Sequence, residues 1–367
     1  IDNSGSNKPT LKIIPEFNYE NKVVINLWDM FGHLDSNPMQ YVIDEFEHSY
    51  PNIKVFRTIM GDHQIMQEEV LKLIETGKLP TVIQTYTSSN KMFIEKGIIQ
   101  ELDSYVSSRN RITHEDGSKE IVGIFDAELD NYVDGFLDEC RSFDPYGTLY
   151  SLPFLKSTEV LFYNKTIFDK YGYEVPKTWD DVKETIPVLQ ANNMEIAMSS
   201  DSNIFIYQMG GELFADDGMR INLDSNVALT AFESMCEMFT MYSFPYQYDF
   251  ANRFRTGEMP IGITSYGMCN QLEIFATEIS GLWGFVPLPG YRQADGSVKN
   301  TSNATVSGCL MLAGCDNPDN AWEFMKWYTS ADFQIPYSND IVSIKGIAAR
   351  PATANTEALA ELPWTSE

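Results

Sequence analysis

The sequence predicts an α/β protein with two units, each a sheet flanked by helices, and three observations carry the prediction. From Val23 to Gly97, short β-branched runs alternate with stretches whose apolar residues recur every three or four positions, the pattern of a parallel sheet covered on both faces. A second alternation of the same kind runs from Gly147 to Val286. The length, 367 residues, accommodates two or three domains, and no low-complexity linker or internal repeat separates the two alternations.

Val23 to Trp28 (VVINLW) reads as a buried strand. Ser36 or Asn37 caps a helix with Pro38 in its first turn and Met39, Val42, Ile43 and Phe46 on one face; Pro51 ends it. Ile53 to Thr58 is a second strand. Asp62 then caps a helix carrying Ile65, Met66, Val70, Leu73 and Ile74, which stops at Gly77. Thr81 to Thr85 is a third strand, and a helix from Asn90 ends at Gly97. Residues 109 to 122 read as a polar excursion. Gly147 to Asn164 reads as a turn and two strands, Asn164 opens a short helix, and Thr178 caps another with Asp181 three residues on. Asp224 is expected to cap the longest helix, with Val227, Ala231, Phe232, Met235, Cys236 and Phe239 on its apolar stripe; strands recur at Ile261 to Ile263 and Trp283 to Val286.

Composition narrows the function. Against 26 Lys and Arg stand 52 Asp and Glu, a net charge of −26 spread along the chain. Phosphate backbones and anionic lipid repel such a surface, which disfavours nucleic-acid and membrane-surface roles. The apolar runs fall short of the ~20 residues that span a bilayer. Residues 1 to 22 read as a polar leader without the apolar stretch of a signal peptide, and the chain starts at Ile1, so it is expected to be a processed or trimmed product whose missing signal says little about location. Cys140, Cys236, Cys269, Cys309 and Cys315 are odd in number and widely spaced, which fits buried hydrophobes better than a zinc site or a disulfide framework.

The usual phosphate-loop, dinucleotide, zinc-protease and nucleophile-elbow motifs are absent, and the four histidines are scattered. The acidic loop Ala215-Asp216-Asp217-Gly218 lacks calcium-loop spacing and reads as a solvated turn. No metal and no cofactor are assigned. Glu159 and Asp201 are the best pair for a glycoside hydrolase, yet the same residues serve equally as acceptors for sugar hydroxyls. Open α/β sheets bind ligands beyond the carboxyl ends of their strands. Here those ends carry rings beside polar groups: Trp28-Asp29 with Phe31, Tyr86 with Ser88, Asn203 with Phe205, and Ser265-Tyr266. A sugar offers C–H faces to such rings and hydroxyls to such polar groups. Trp179, Trp322 and Trp327 sit at helical spacings and read as core.

Ordered segments then point to a family. FEHSYPNIKV (46–55), GKLPTVI (77–83), GIIQELDSYV (97–106), GTLYSLPFLKSTEVLFYNKTIF (147–168), PKTWDDV (176–182), GGELFADDGMRINL (210–223), FRTGEMPIGI (254–263), WGFVPLP (283–289) and AWEFMKWYT (321–329) lie in one sequence order. In these the chain resembles the extracellular solute-binding proteins of ABC importers, of the family 1 type that includes maltose-binding protein, from about Val23 to Gln334. The resemblance implies a two-lobed periplasmic-binding-protein fold (type II), its lobes joined by hinge strands near Phe154 to Ser157 and Asn303 to Gly308. The expected division is a leader (1–22), an N-terminal lobe (23–155 plus 308–345) and a C-terminal lobe (156–307 plus 346–367). The family's second lobe receives further C-terminal helices, and this chain stops at Glu367, so it is expected to be trimmed or a module of a larger surface protein.

The expected function is capture of a carbohydrate, an oligosaccharide, outside the cell or in the periplasm, with delivery to an ABC transporter permease by closure of the lobes and without chemistry on the ligand. The protein is expected to be a monomer anchored at the cell surface that binds no nucleic acid. The expected ligand-binding residues are Trp28, Asp29, Phe31, Tyr86, Ser88, Ser157, Glu159, Asp201, Asn203, Phe205, Tyr266 and Arg350. Alternatives are a glycoside hydrolase, a polyamine or cation binder, and a module without ligand affinity.

Overall fold

A computed structural model describes residues 23–30, 36–114, 117–198, 202–215, 220–245, 249–315 and 317–362. The chain forms two units, one ending at Lys156 and resuming at Thr305, the other spanning Ser157 to Ala304.

The first unit begins with β1 (Val23–Asp29), α1 (Ser36–Ser49), β2 (Ile53–Ile59), α2 (His63–Ile74) and β3 (Val82–Tyr86). β1 lies between β2 and β3 and runs parallel to both. Alternation along β1 decides what covers each face. Ile25 and Leu27 join Met39, Val42, Ile43 and Phe46 of α1 in one core, whereas Trp28 and Met30 pack with Met66 and Val70 of α2 in another. The helices therefore take opposite faces of the sheet. Asp62 caps α2 by accepting from the N–H groups of Gln64 (2.8 Å) and Ile65 (3.0 Å), which satisfies two donors that the helix start leaves open. Ile65, expected on the apolar face, is 54 % exposed.

A single 3-10 turn (Thr87–Ser89) precedes α3 (Asn90–Glu95); α4 (Asp103–Val106), β4 (Arg111–Thr113), β5 (Lys119–Ile121), α5 (Asp126–Leu129) and α6 (Asp134–Cys140) follow. The polar excursion of the sequence is thus a hairpin, with Arg111 opposite Ile121. Each face carries a single isoleucine, Ile121 on one and Ile112 on the other, among polar residues, so alternation gave no strand signal. Where two strands were expected, β6 (Leu152–Asn164) is one strand of 13 residues. Its Leu152 and Phe154 lie in the first unit's core and its Leu161 in the second's.

In the second unit come α7 (Lys165–Tyr171), α8 (Trp179–Gln190), β7 (Ile196–Met198), α9 (Ser202–Gln208), α10 (Asn226–Thr240), α11 (Phe250–Thr256), β8 (Ile261–Ser265), α12 (Met268–Phe275), β9 (Trp283–Val286), β10 (Tyr291–Arg292) and β11 (Val298–Lys299). β8 pairs antiparallel with β6 and parallel with β7, and β9 pairs antiparallel with β6. Thr178 and Asp181 cap α8 reciprocally, as expected, at 3.1 and 2.8 Å. The cap of α10 is Ser225 instead of Asp224, because its hydroxyl accepts from the Ala228 N–H (3.2 Å). Phe232, assigned to that helix's apolar stripe, is 56 % exposed. At the centre of this core Trp179 stacks on Phe205 (4.6 Å between centroids) and donates its Nε1–H to Gln208 Oε1 (2.6 Å). The buried Gln208 amide in turn donates to the Pro289 and Thr301 carbonyls (3.0 and 2.9 Å).

β12 (Ala304–Met311) returns the chain to the first unit, antiparallel to β3, and α13 (Pro318–Thr329), α14 (Ala331–Lys345) and α15 (Thr356–Glu361) complete it. Trp322, Phe324 and Tyr328 are fully buried, and Phe154 stacks on Tyr328 at 4.4 Å; Trp327 packs partly buried against the same core. The sequence reading assigned 346–367 to the second lobe, but its described part belongs to the first unit. Thr353 pairs with Leu155 and Asn355 with Tyr132, and the Lys156 N–H donates to the Ala352 carbonyl (2.8 Å).

The hairpin is tied to α13 through Glu120. Its carboxylate accepts from the Tyr50 hydroxyl (2.6 Å) and Lys326 Nζ (2.7 Å), and His114 Nε2 lies at 3.1 Å. Burial opposes its charge, yet these bonds together hold Glu120 below the usual carboxylate range. Beneath it Glu323 is 3 % exposed and neither oxygen completes a hydrogen bond among the described residues, although Lys326 Nζ approaches to 3.2 Å. Burial, with Lys326 opposing and Glu120 adding, pushes the Glu323 carboxyl up to about 7. None of the five cysteines forms a disulfide with another, and Cys140, Cys269 and Cys309 are buried.

Candidate functional site

Strand direction gathers most of the expected residues at one end of each sheet. In the first unit the carboxyl ends of the parallel strands bring Asp29 beside Ile59 and Gln84, and the antiparallel β12 starts there with Ser307 opposite Tyr86. In the second, β7 and β8 end toward the point where β6 enters the unit, so Glu159 faces Ser265 and α9 opens just beyond β7.

The first unit's strand end rests on a layer of buried polar groups. Gln84 donates to the Ser307 hydroxyl and accepts from the Met30 N–H (3.3 Å). The Thr87 hydroxyl donates to the Glu139 carboxylate, whose pKa burial raises and this bond lowers. Asn90 donates to Ser151 (2.9 Å) and Gln67 to Ser89 (2.5 Å). Gly308 lies so close to Ser151 and Thr87 that a Cβ would meet both at 3.1 Å. Above this layer Ser88 is exposed. Tyr86 is half-buried with its ring edge-on to His63 (5.0 Å), and burial, then Asp62, raises its hydroxyl pKa. Trp28 is half-buried against the second core of this unit.

Asp29 is the main correction. It was expected to accept from sugar hydroxyls, but it continues the inward face of Ile25 and Leu27, its side chain is 0 % exposed, and Arg57 holds it through Nε (2.5 Å) and Nη2 (3.0 Å). Burial opposes the guanidinium's charge and the carboxylate more than offsets it, so the Arg57 pKa lies above its ordinary value. The pair positions the end of β1 from below.

In the second unit the Ser157 and Ser265 hydroxyls share a hydrogen bond of 2.7 Å. The Tyr266 N–H donates to the Thr158 carbonyl (2.8 Å) and its ring stands edge-on to Phe285 (5.4 Å). Glu159 is half-buried; its carbonyl accepts from Ser302 (2.9 Å) and its N–H donates to Asn303 (3.4 Å). Asn203 is half-buried in the first turn of α9. Two residues on, Phe205 was expected at the surface and lies in the core instead, 0 % exposed, because α9 turns that face onto Trp179. Arg350 is half-buried after the turn Ile347–Ala349, in the first unit. Phe31 and Asp201 lie outside the described residues.

Arg57, Gln84, Glu139 and Ser307 were not singled out from sequence. Arg57 had a usable signal, since it shares a strand face with Ile53 and Val55 and an inward Arg demands a carboxylate. The others are ordinary residues whose role depends on register. No group of three or more His, Cys, Asp or Glu among the described residues could hold a metal ion.

The sequence pattern of the bacterial extracellular solute-binding proteins matches residues 33–335. The chain is 24 % identical over 321 residues to the maltotriose-binding protein of Pyrococcus abyssi, covering 84 % of this chain and 62 % of that protein. It is 28 % identical over 160 residues to the sn-glycerol-3-phosphate-binding periplasmic protein UgpB of Escherichia coli, covering 42 % of this chain and 33 % of that protein. The chain thus spans less than two thirds of the length of either relative. Among solved structures it is similar to the GacH receptor of Streptomyces glaucescens (TM-score 0.71, 17 % identity, 93 % of this chain and 82 % of that one) and to the sugar-binding protein MalE of Xanthomonas citri (TM-score 0.71, 17 % identity, 92 % and 81 %). At such identities the likeness shows the fold, an α/β periplasmic-binding-protein fold of type II.

Proposed function

The chain belongs to the bacterial extracellular solute-binding protein family, and from that premise we propose that it captures a carbohydrate, an oligosaccharide, outside the cytoplasm and hands it unaltered to the permease of an ABC transporter. One observation carries the carbohydrate reading: each unit sets rings and hydroxyl or carboxylate groups at its strand end, with Trp28 at the end of β1 and Tyr86 two residues before the exposed Ser88 at the end of β3 in the first, and Tyr266 near Ser157, Ser265 and Glu159 in the second. Rings take the C–H faces of a sugar, and fixed polar groups take its hydroxyls. The ligand named for the Pyrococcus abyssi relative, maltotriose, is of the same class. Among the described residues no helix is long and apolar enough to cross a membrane, and we place the protein at the cell surface as an anchored monomer. The expected hinge segments, Phe154 to Ser157 and Asn303 to Gly308, contain the points at which the chain passes from one unit to the other.

The test is a panel of oligosaccharides read by calorimetry and thermal shift. A ligand at about 100 times its dissociation constant stabilises by about 2.7 kcal/mol. Trp28→Ala and Tyr266→Ala are expected to weaken binding with the fold retained, and analysis of the mixture should find no released reducing ends. A panel without a single binder, or hydrolysis of the sugar that binds, would overturn the reading.

A further inference from the structure

We propose that the first unit holds a second site, for a small organic cation bearing an ammonium or guanidinium group, in a cavity where Glu323 is the counter-ion. The site is separate from the strand ends, and the proposal is independent of the carbohydrate reading.

The cavity, about 690 Å3, lies between the end of α1, the start of β2, the β4–β5 hairpin and the first turns of α13. Its size is that of a small-molecule pocket. Ile53, the first residue of β2, lines it, whereas the strand-end site lies beyond Ile59 at the other end of that strand. At about 3.3 Å per residue the two are about 20 Å apart. All of its lining residues belong to the first unit.

What marks this cavity is a carboxyl group in its wall with no donor of its own. Glu323 lines it with a side chain 3 % exposed, and neither oxygen completes a hydrogen bond among the described residues. The ammonium of Lys326 is engaged elsewhere: its Nζ sits 2.7 Å from Glu120 and donates to the Ile121 carbonyl at 2.8 Å, against 3.2 Å to Glu323. Glu120 is further satisfied by the Tyr50 hydroxyl and by His114, both in the cavity wall. Asp319 adds its negative field at Glu323, and Asp332 does so at Tyr50. Carboxylates thus outnumber the ammonium in this corner, and Glu323 is the one left without a partner. A buried carboxylate in that position is costly, and burial accordingly pushes this group up to about 7. An entering cation supplies both the missing donor and the missing charge, in a charge-assisted bond. A neutral hydroxyl supplies only the donor, and an anion is repelled. Pro51, Ile53 and Ile112 give the same cavity an apolar wall for a ligand's methylene chain.

Agmatine and putrescine, compared with the neutral 1,4-butanediol, test this on the whole chain by calorimetry at pH 8, where the Glu323 carboxyl is ionised. At least one amine is expected to bind about tenfold tighter than the diol. Glu323→Gln keeps the shape, removes the charge and should weaken that amine about 10- to 100-fold. Thr113→Trp fills the cavity from its exposed rim, leaves the carboxylate in place and should weaken the amine as much. Melting curves confirm that both variants fold. Amines that bind no tighter than the diol, or an amine preference that survives either substitution, would overturn the proposal and leave the carbohydrate reading untouched.

Discussion

Replacing Glu323 by Gln should make the protein less sensitive to alkaline pH. The carboxyl is 3 % exposed, shares Lys326 with the Glu120 carboxylate and completes no hydrogen bond of its own among the described residues. Its pKa is about 7 against an ordinary 4.5. The fold therefore holds the proton more tightly than the unfolded chain does, and the associated stability is complete below pH 4.5 and gone above pH 7. At about 1.4 kcal/mol per pH unit, the loss across that window is about 3 kcal/mol. Glu323→Gln keeps the shape and removes the titration, while Glu120, Tyr50, His114, Asp319, Asp332 and Lys326 remain in both proteins and cancel in the comparison. Urea unfolding of parent and variant at pH values spanning the window, following the transition of the first unit, reads the difference directly. The variant should gain on the parent by about 3 kcal/mol from the acid end to the alkaline end. A difference that stays flat with pH, or that moves toward the parent, would refute the argument that burial keeps this group protonated.

Asp29→Ala leaves the Arg57 guanidinium buried without its carboxylate and should cost about 3 to 5 kcal/mol in urea unfolding, well beyond a binding-site substitution; a cost under about 1 kcal/mol would show that water reaches Arg57. Gln208→Ala strips the Trp179 indole and the Pro289 and Thr301 carbonyls of their partner at once, so the second unit should lose about 2 kcal/mol or more, seen in its melting transition. Gly308→Ala forces a methyl against Ser151 and Thr87 and should destabilise the first unit by about 1 to 3 kcal/mol, and a neutral result would mean that the β3–β12 contact is loose.

How much of this was legible depended on whether the signal was local. The caps of α2 and α8 could be read from Asp62 and from Thr178 with Asp181, because capping involves only residues two or three apart. The start of α10 slipped by one residue since Asp224 and Ser225 are both good caps and only the hydrogen bond to Ala228 separates them. The β4–β5 hairpin was missed for want of an apolar face. Among the expected site residues, Ser157, Glu159 and Tyr266 do lie close to one another about the paired strands β6 and β8, because strands can be located by pattern. The environments of Asp29 and Phe205 were not legible, because the first depends on the register of β1 with β2 and the second on which way a seven-residue helix turns.

The broken path of the first unit also orders events during synthesis. Its main core takes Ile25, Leu27 and Phe46 from the early part of the chain and Val306, Met311, Trp322, Phe324 and Tyr328 from the late part. Everything between Ser157 and Ala304 must be translated before those late side chains exist. The second unit is contiguous and draws its own core from Leu161 to Leu288, so it can close while the first still waits with an open apolar face. A ribosome-bound chain paused after Ala304 would expose Ile25, Leu27 and Phe46 to any holdase within reach, and release of the last helices would bury them in one step.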